Sequence, residues 1–184
     1  ADWAWIQHMY ASLNPKGRIA VVMDNGVLFR GSSEAKCRKA FLELDVVDAV
    51  IGLPGNLFAN TSSPGCILVI DKDKPASRKG KVLFVDASKD YLEGKAQNHL
   101  RDEDIAKTLG SYNDYKTIER YCSVSDLEEI KENDYNLNIS RYVDTTEPEV
   151  PVIIEEVMDE LKSLESEREE TNSKLNDFLK ELGY

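Results

Sequence analysis

Four short apolar runs constrain the fold of this chain more than any other feature: Ile19-Ala20-Val21-Val22-Met23, Val46-Val47-Asp48-Ala49-Val50-Ile51, Cys66-Ile67-Leu68-Val69-Ile70 and Val82-Leu83-Phe84-Val85. A strand with one wet face alternates apolar and polar residues, so runs that hardly alternate read as strands covered on both faces. None approaches the ~18 apolar residues of a membrane span. Helical spacing surrounds them. Trp5, Ile6, Met9, Tyr10 and Leu13 share one face of a first helix that Asp2 can cap and Asn14-Pro15-Lys16-Gly17 stops. Ala35, Ala40, Phe41 and Leu44 mark the buried side of a second, from about Ser33. The order helix, strand, helix, strand, loop, strand, strand predicts an α/β protein with a mostly parallel sheet, half of a doubly wound one, clothed by helices. Ligands of such sheets collect at the carboxyl ends of the strands. Here those ends are Asp24-Asn25-Gly26 and the turn-rich stretch Leu53–Gly65.

The pattern divides the chain into residues 1–86, the α/β part, residues 87–149, a mixed helix and loop extension, and residues 150–184, a long helix. Within the extension, 102–115 is weakly helical, Ser125 opens a short helix to Glu132 with capping-box spacing, and 133–144 is polar, aromatic and irregular. Pro148 and Pro151 precede the last helix, expected from about Val152 to Leu182. Along it Val157, Leu161, Leu164, Arg168, Thr171, Leu175, Phe178 and Leu182 step by alternate fours and threes, the spacing of a seam that faces a partner helix. Arg168 and Thr171 make a polar, register-setting layer at its middle. The helix either packs back on its own domain or projects to pair with another chain, and the projecting reading is preferred.

Charge sharpens that division. The formal charge is -11, and residues 142–184 hold 13 acidic and 4 basic groups, so the acidity belongs to the terminal helix and its approach while the body is nearly neutral. A free-standing nucleic-acid binder needs cations for phosphate, which this balance does not supply. Cys37, Cys66 and Cys122 are too widely spaced for a zinc site or a disulfide framework, which fits a reduced, cytoplasmic setting. Neither a metal site nor a membrane segment is expected. The start at Ala1 suggests a processed chain or a piece of a longer one.

Candidate chemistry is sparse. The chain holds no glycine-rich phosphate loop, nucleophile elbow or zinc-protease motif. His8 lies among Trp3, Trp5 and Tyr10 and reads as a packed structural residue, Asp48 and Asp86 as strand-edge or loop carboxylates, Asp24-Asn25-Gly26 as a turn, and Cys66 as core. The best candidate is the loop Leu53–Gly65. Its Phe58, flanked by Asn56 and Asn60, either anchors the loop to the core or offers a flat face to a planar ligand or unstacked base.

Several segments carry a resemblance over nearly the whole chain: Asp2-Trp3-Ala4-Trp5-Ile6-Gln7-His8, Gly17-Arg18-Ile19-Ala20-Val21-Val22, Gly26-Val27-Leu28-Phe29-Arg30-Gly31, Asp48-Ala49-Val50-Ile51-Gly52-Leu53-Pro54-Gly55-Asn56-Leu57-Phe58, Gly80-Lys81-Val82-Leu83-Phe84-Val85-Asp86 and Asn133-Asp134-Tyr135-Asn136-Leu137-Asn138-Ile139-Ser140-Arg141-Tyr142-Val143. The chain resembles the modification subunit of type I restriction-modification systems. That resemblance implies the C-terminal half of a Rossmann-like, S-adenosylmethionine-dependent methyltransferase sheet, acting on the exocyclic amine of adenine in DNA. It also implies a helical region docking on a specificity subunit, in a complex with a restriction subunit. The family's cofactor motif and its Asn-Pro-Pro-aromatic catalytic motif do not occur in these 184 residues. Asn14-Pro15-Lys16-Gly17 is no version of the latter. The chain is therefore expected to be a C-terminal portion with no catalytic residues of its own and no activity alone. One substrate residue carries over by the resemblance, Phe58, whose ring would pack against the flipped adenine, with Asn56 and Asn60 beside it. The competing reading is a non-catalytic α/β module that binds a partner through its heptad helix; an unrelated nucleotide-binding protein is disfavoured by the missing phosphate loop.

Overall fold

A computed structural model describes residues 2–146 and 154–181. Ala1–Thr146 is one compact unit and Glu147–Tyr184 a second. The first begins with α1 (Asp2–Ser12), β1 (Arg18–Asp24), α2 (Ser32–Glu43) and β2 (Val47–Gly52). It continues through β3 (Gly65–Asp71), β4 (Lys81–Asp86), α3 (Asp102–Asp114), β5 (Cys122–Asp126) and α4 (Leu127–Glu132).

All four apolar runs are strands of one sheet, in the order β1-β3-β2-β4-β5. The expected direction was wrong. Only β2 and β4 pair in parallel; β1 with β3, β2 with β3 and β4 with β5 are antiparallel. An apolar run says nothing about strand direction. The helix α2 carries the chain over from β1 to a similarly directed β2, as expected, but β3 then returns through a helix-free loop and inserts between them. Parallel neighbours need a crossover, and this loop is not one. One consequence of the expected topology survives: β1, β2 and β4 all point the same way, so Asp24, Gly52 and Asp86 end at one rim, beside the start of β3 at Gly65.

Both faces of β2, β3 and β4 are covered, whereas the edge strand β1 turns Ile19, Val21 and Met23 to the core and leaves Ala20 and Val22 exposed on its other face, contrary to the expectation from its unbroken apolar run. On one face of the sheet, Val50, Leu68, Ile70, Val82 and Phe84 meet Trp3 and Ile6 of α1, Phe41 and Leu42 of α2, and residues of the 130–143 segment. Phe84 stacks on Tyr142 with ring centroids 3.9 Å apart. On the other, Ala49, Ile51, Val69, Leu83 and Val85 pack with Tyr121, Cys122 and, from α3, Tyr112.

Local readings need correction as well. In α2 the buried residues are Arg38, Phe41 and Leu42, whereas Ala40 and Leu44 of the expected buried side are exposed. In α1 the buried tryptophan is Trp3, whose indole donates to the Val27 carbonyl (3.0 Å), whereas Trp5 is exposed and so is His8. Trp3, Ile6 and Tyr10 fall three or four residues apart, so the buried stripe starts two residues earlier than the aromatic count suggested. Asp2 lies inside the first turn and pairs with Arg30. The short helix α4 is capped by Asp126, which accepts from the Glu129 amide (2.9 Å), because Ser125 is a buried residue of β5, a strand the reading of 87–149 as helix and loop had missed. Asp48, finally, is no edge carboxylate.

Asp48 is fully buried at a register shift between Val47 and Ala49 of β2. Its Oδ2 accepts from Arg78 (3.0 Å) and from the Tyr112 hydroxyl (2.6 Å), while Tyr115 donates to its backbone carbonyl (3.0 Å). The Arg78 guanidinium lies over both tyrosine rings, at 4.7 and 4.3 Å. This network pins the end of α3 to the sheet. Burial, joined by the Asp48 hydrogen bond and charge, raises the Tyr112 hydroxyl above its ordinary range and keeps it a donor.

The second unit contains α5 (Ile154–Glu181), 28 residues and so about 42 Å long. Within it Lys174 reaches Glu170 (2.7 Å) and Thr171 bonds back to the Glu167 carbonyl (2.8 Å). Val157, Leu161, Leu164, Leu175 and Phe178 expose about half or more of their surface. The last seam position, Leu182, and the prolines before the helix lie outside the described residues.

Candidate functional site

The site is built on the rim where β1, β2 and β4 end. After Gly52, residues 53–64 leave the sheet and return to Gly65, closed by the Leu53 amide donating to the Gly65 carbonyl (2.9 Å). Farther out the Asn56 amide donates to Ser62 (3.0 Å) and the Thr61 amide to Phe58 (3.3 Å), so the tip reverses over Phe58–Thr61. Phe58 is 36% exposed although it is the largest side chain of the loop. Its ring lies over Gly65: a Cβ there would stand 3.1 Å from Phe58 Cε2, so a side chain larger than hydrogen would push the ring away. Phe58 forms one wall of a cavity of about 240 Å³, with Val22, Met23, Asp24, Thr61 and Gly65 among the others. Asn56 adopts a left-handed backbone (φ 53°), which asparagine tolerates better than most residues, and Asn60 is exposed.

Charges at this rim are engaged. The Asp24 carboxylate accepts from the Gly26 amide (2.7 Å), capping a short 3-10 turn, and from Arg30 (2.9 Å), which also holds Asp2. Asp86 accepts from the Ser88 amide (3.0 Å). The Cys66 thiol, buried at the start of β3, is pushed up to about 12 by burial and then by Asp24, so it stays protonated and unreactive, as a core cysteine should. Among the described residues no cluster of three or more histidines, cysteines or carboxylates could hold a metal. What the rim can offer is an apolar aromatic wall beside a small cavity edged by Thr61, Ser63 and Asp24.

Two amides from outside the loop hold it, and sequence reasoning missed both. Asn98 donates from Nδ2 to the Gly55 carbonyl (2.9 Å) and from its backbone to the Asn56 carbonyl (2.8 Å), and Gln97 donates to the Leu57 carbonyl. Their partners lie 40 or more positions away, so no local pattern marks them; the nearest signal is Gly94, which faces the Gln97 carbonyl in the turn that presents them.

Residues 1–150 match the N-6 DNA Methylase family. The chain belongs to that family. It is 42% identical over 185 residues to a type I restriction enzyme methylase subunit of Methanocaldococcus jannaschii, covering 99% of this chain and 32% of that protein. It is 38% identical to the corresponding HindI subunit of Haemophilus influenzae, covering 81% and 35%. The solved type I restriction-modification methyltransferase subunit from Streptococcus thermophilus superposes with a TM-score of 0.74 at 45% identity, over 78% of this chain and 30% of that one. This N-6 DNA methylase family member therefore spans about a third of the length of the curated relatives it matches. The family implies a cofactor, for which this chain offers no glycine-rich loop, and Gly26 after β1 has the Arg30 guanidinium beside it. No helix among the described residues is long and apolar enough to cross a membrane.

Proposed function

We propose that this chain is the C-terminal portion of the modification subunit of a type I restriction-modification complex, cytoplasmic, whose complete form methylates the exocyclic amine of adenine in DNA. S-adenosylmethionine supplies the methyl group when bound, and the residues that hold it are assigned to sequence outside this chain. What these residues contribute is a face for the substrate base. Extruding a base costs a few kcal/mol of stacking, and a ring that receives it restores part of that. The observation that carries this reading is Phe58, half out of a loop at the strand-end rim, beside a cavity of about 240 Å³. Asn56 and Asn60 flank Phe58 in sequence.

The acidic helix α5 is assigned to assembly. Its seam leaves Val157, Leu161, Leu164, Arg168, Thr171, Leu175 and Phe178 facing solvent, as a surface meant for helices of the specificity subunit would. The restriction subunit and DNA join in the full complex. That same seam is the feature in favour of the second reading, a non-catalytic module. A methyl-transfer assay with labelled cofactor and cognate DNA separates them. The chain alone is expected to give no turnover, and the full-length subunit with its specificity partner is expected to give turnover that Phe58→Ala weakens with cofactor affinity unchanged. Equal loss of cofactor affinity makes Phe58 a core anchor, and turnover by the isolated chain refutes the assignment of the catalytic residues to other sequence.

A further inference from the structure

We propose that Asn98 and Gln97 are positioning residues that set the Phe58 ring for the extruded base. The proposal rests on the reading of Phe58 given above. Three successive carbonyls lead into Phe58, those of Gly55, Asn56 and Leu57, and every one accepts a hydrogen bond from the 97–98 pair. Such a row fixes the backbone trace of the segment just before the ring. It does so where the segment most needs help, because Asn56 sits in the left-handed region and the loop tip has only the Asn56–Ser62 and Phe58–Thr61 backbone bonds of its own.

The buttress is itself anchored. Leu92 and His99 exchange backbone hydrogen bonds (2.8 and 3.0 Å), closing a short hairpin whose turn contains Gly94 packed against Gln97. At its root the Ala87 amide donates to Gly52 (3.2 Å), tying the end of β4 to the end of β2, and Asp90 pairs with Lys107 of α3 (2.8 Å). The ring is thus connected to the sheet by two routes, its own loop and this hairpin. Reactive geometry tolerates little displacement, and a misplacement of the order of 1 Å can cost up to ~100-fold in rate.

Steady-state methylation and the fluorescence of a cognate duplex bearing 2-aminopurine at the target adenine test this in the full-length subunit assembled with its specificity partner. Asn98→Ala is expected to lower kcat/KM for DNA by roughly tenfold and to reduce the base-extrusion signal, with KM for the cofactor unchanged. The Phe58→Ala/Asn98→Ala double variant is expected to be no worse than Phe58→Ala alone, since a positioning residue has nothing left to position. Gln97→Ala, which removes one bond from a half-buried surface side chain, is expected to act in the same direction and serves if Asn98→Ala folds poorly. If Phe58→Ala reduces the signal while Gln97→Ala and Asn98→Ala leave it intact, or if the losses simply add, the positioning role is overturned and the Phe58 reading stands. If Phe58→Ala leaves the signal intact, the base-contact reading falls and this proposal with it.

Discussion

At its amino end β2 carries Asp48, which no solvent reaches and which is clamped by Arg78, Tyr112 and Tyr115; at its carboxyl end it runs into a loop whose Phe58 is 36% exposed. The same strand thus joins a charge network that is buried and tied to α3 to an aromatic left partly in water. A buried carboxylate without its partners costs several kcal/mol, so the network locks α3 on the sheet but cannot move. A partly exposed ring on a loop contributes less to stability, which is compatible with the role proposed for it. The buried network and the loop bearing the ring proposed for recognition thus lie at opposite ends of one six-residue strand.

Asp48→Ala leaves Arg78 and the Tyr112 hydroxyl half-buried without their acceptor and should cost roughly 3 to 5 kcal/mol of unfolding free energy by urea denaturation. Asp48→Asn keeps an acceptor for them and should cost less. A loss under about 1 kcal/mol for Asp48→Ala would mean that the network contributes no net stability. Leu161→Lys with Leu175→Lys should weaken capture by the specificity subunit by at least tenfold, of the order expected when two interface anchors are lost, with the melting temperature of Ala1–Thr146 unchanged. A complex that survives deletion of residues 150–184 would refute that assignment. Phe58→Ala should reduce methylation by roughly ten- to thirtyfold, the worth of stacking one base, while changing stability by less than about 1 kcal/mol. An equal fall in stability would erase the contrast between the two ends of β2.

The smallest effect is one of pH. The Cys66 thiol is raised from 9.0 to about 12 by burial, and the Tyr142 hydroxyl, stacked on Phe84, from 10.0 to about 12. Between those values the unfolded chain gives up protons that the folded chain keeps, so it binds fewer, and stability falls as pH rises. Denaturation should therefore show an unfolding free energy unaffected by these groups below about pH 8 and declining from pH 9 toward 12. Cys66→Ala should flatten part of that decline, and an unchanged slope would remove Cys66 from the account. At pH 8, thiol labelling should reach the half-buried Cys37 before Cys66.

Legibility in the sequence followed the range of the interaction concerned. Four of the strands were readable because continuous apolar runs are local, although in β1 such a run is covered on one face only. The first helix was readable but its face was misplaced, since Trp3 and Trp5 are chemically equal in sequence and only the Val27 carbonyl and Phe41 ring, reached through folding, chose Trp3. β5 was hidden by its polar residues: Cys122-Ser123-Val124-Ser125-Asp126 looks like the approach to a helix, and an edge strand needs few apolar side chains. Asp48 was misjudged because an Asp in a strand reads as an edge unless its partners are known, and they come from positions 78, 112 and 115.

By itself the sequence determined where four of the five strands and the longer helices form, that the central strands are covered on both faces, where the acidity lies, and which loop carries an unexplained aromatic. These depend on residues within a few positions of one another, where spacing and side-chain type are sufficient. The tertiary structure alone decided that β3 inserts antiparallel between β1 and β2, that Asp48 is a buried hub, and that Gln97 and Asn98 hold the Phe58 loop. Each of those joins segments tens of residues apart, and a hydrogen bond or strand pairing between distant segments leaves no periodicity in either of them.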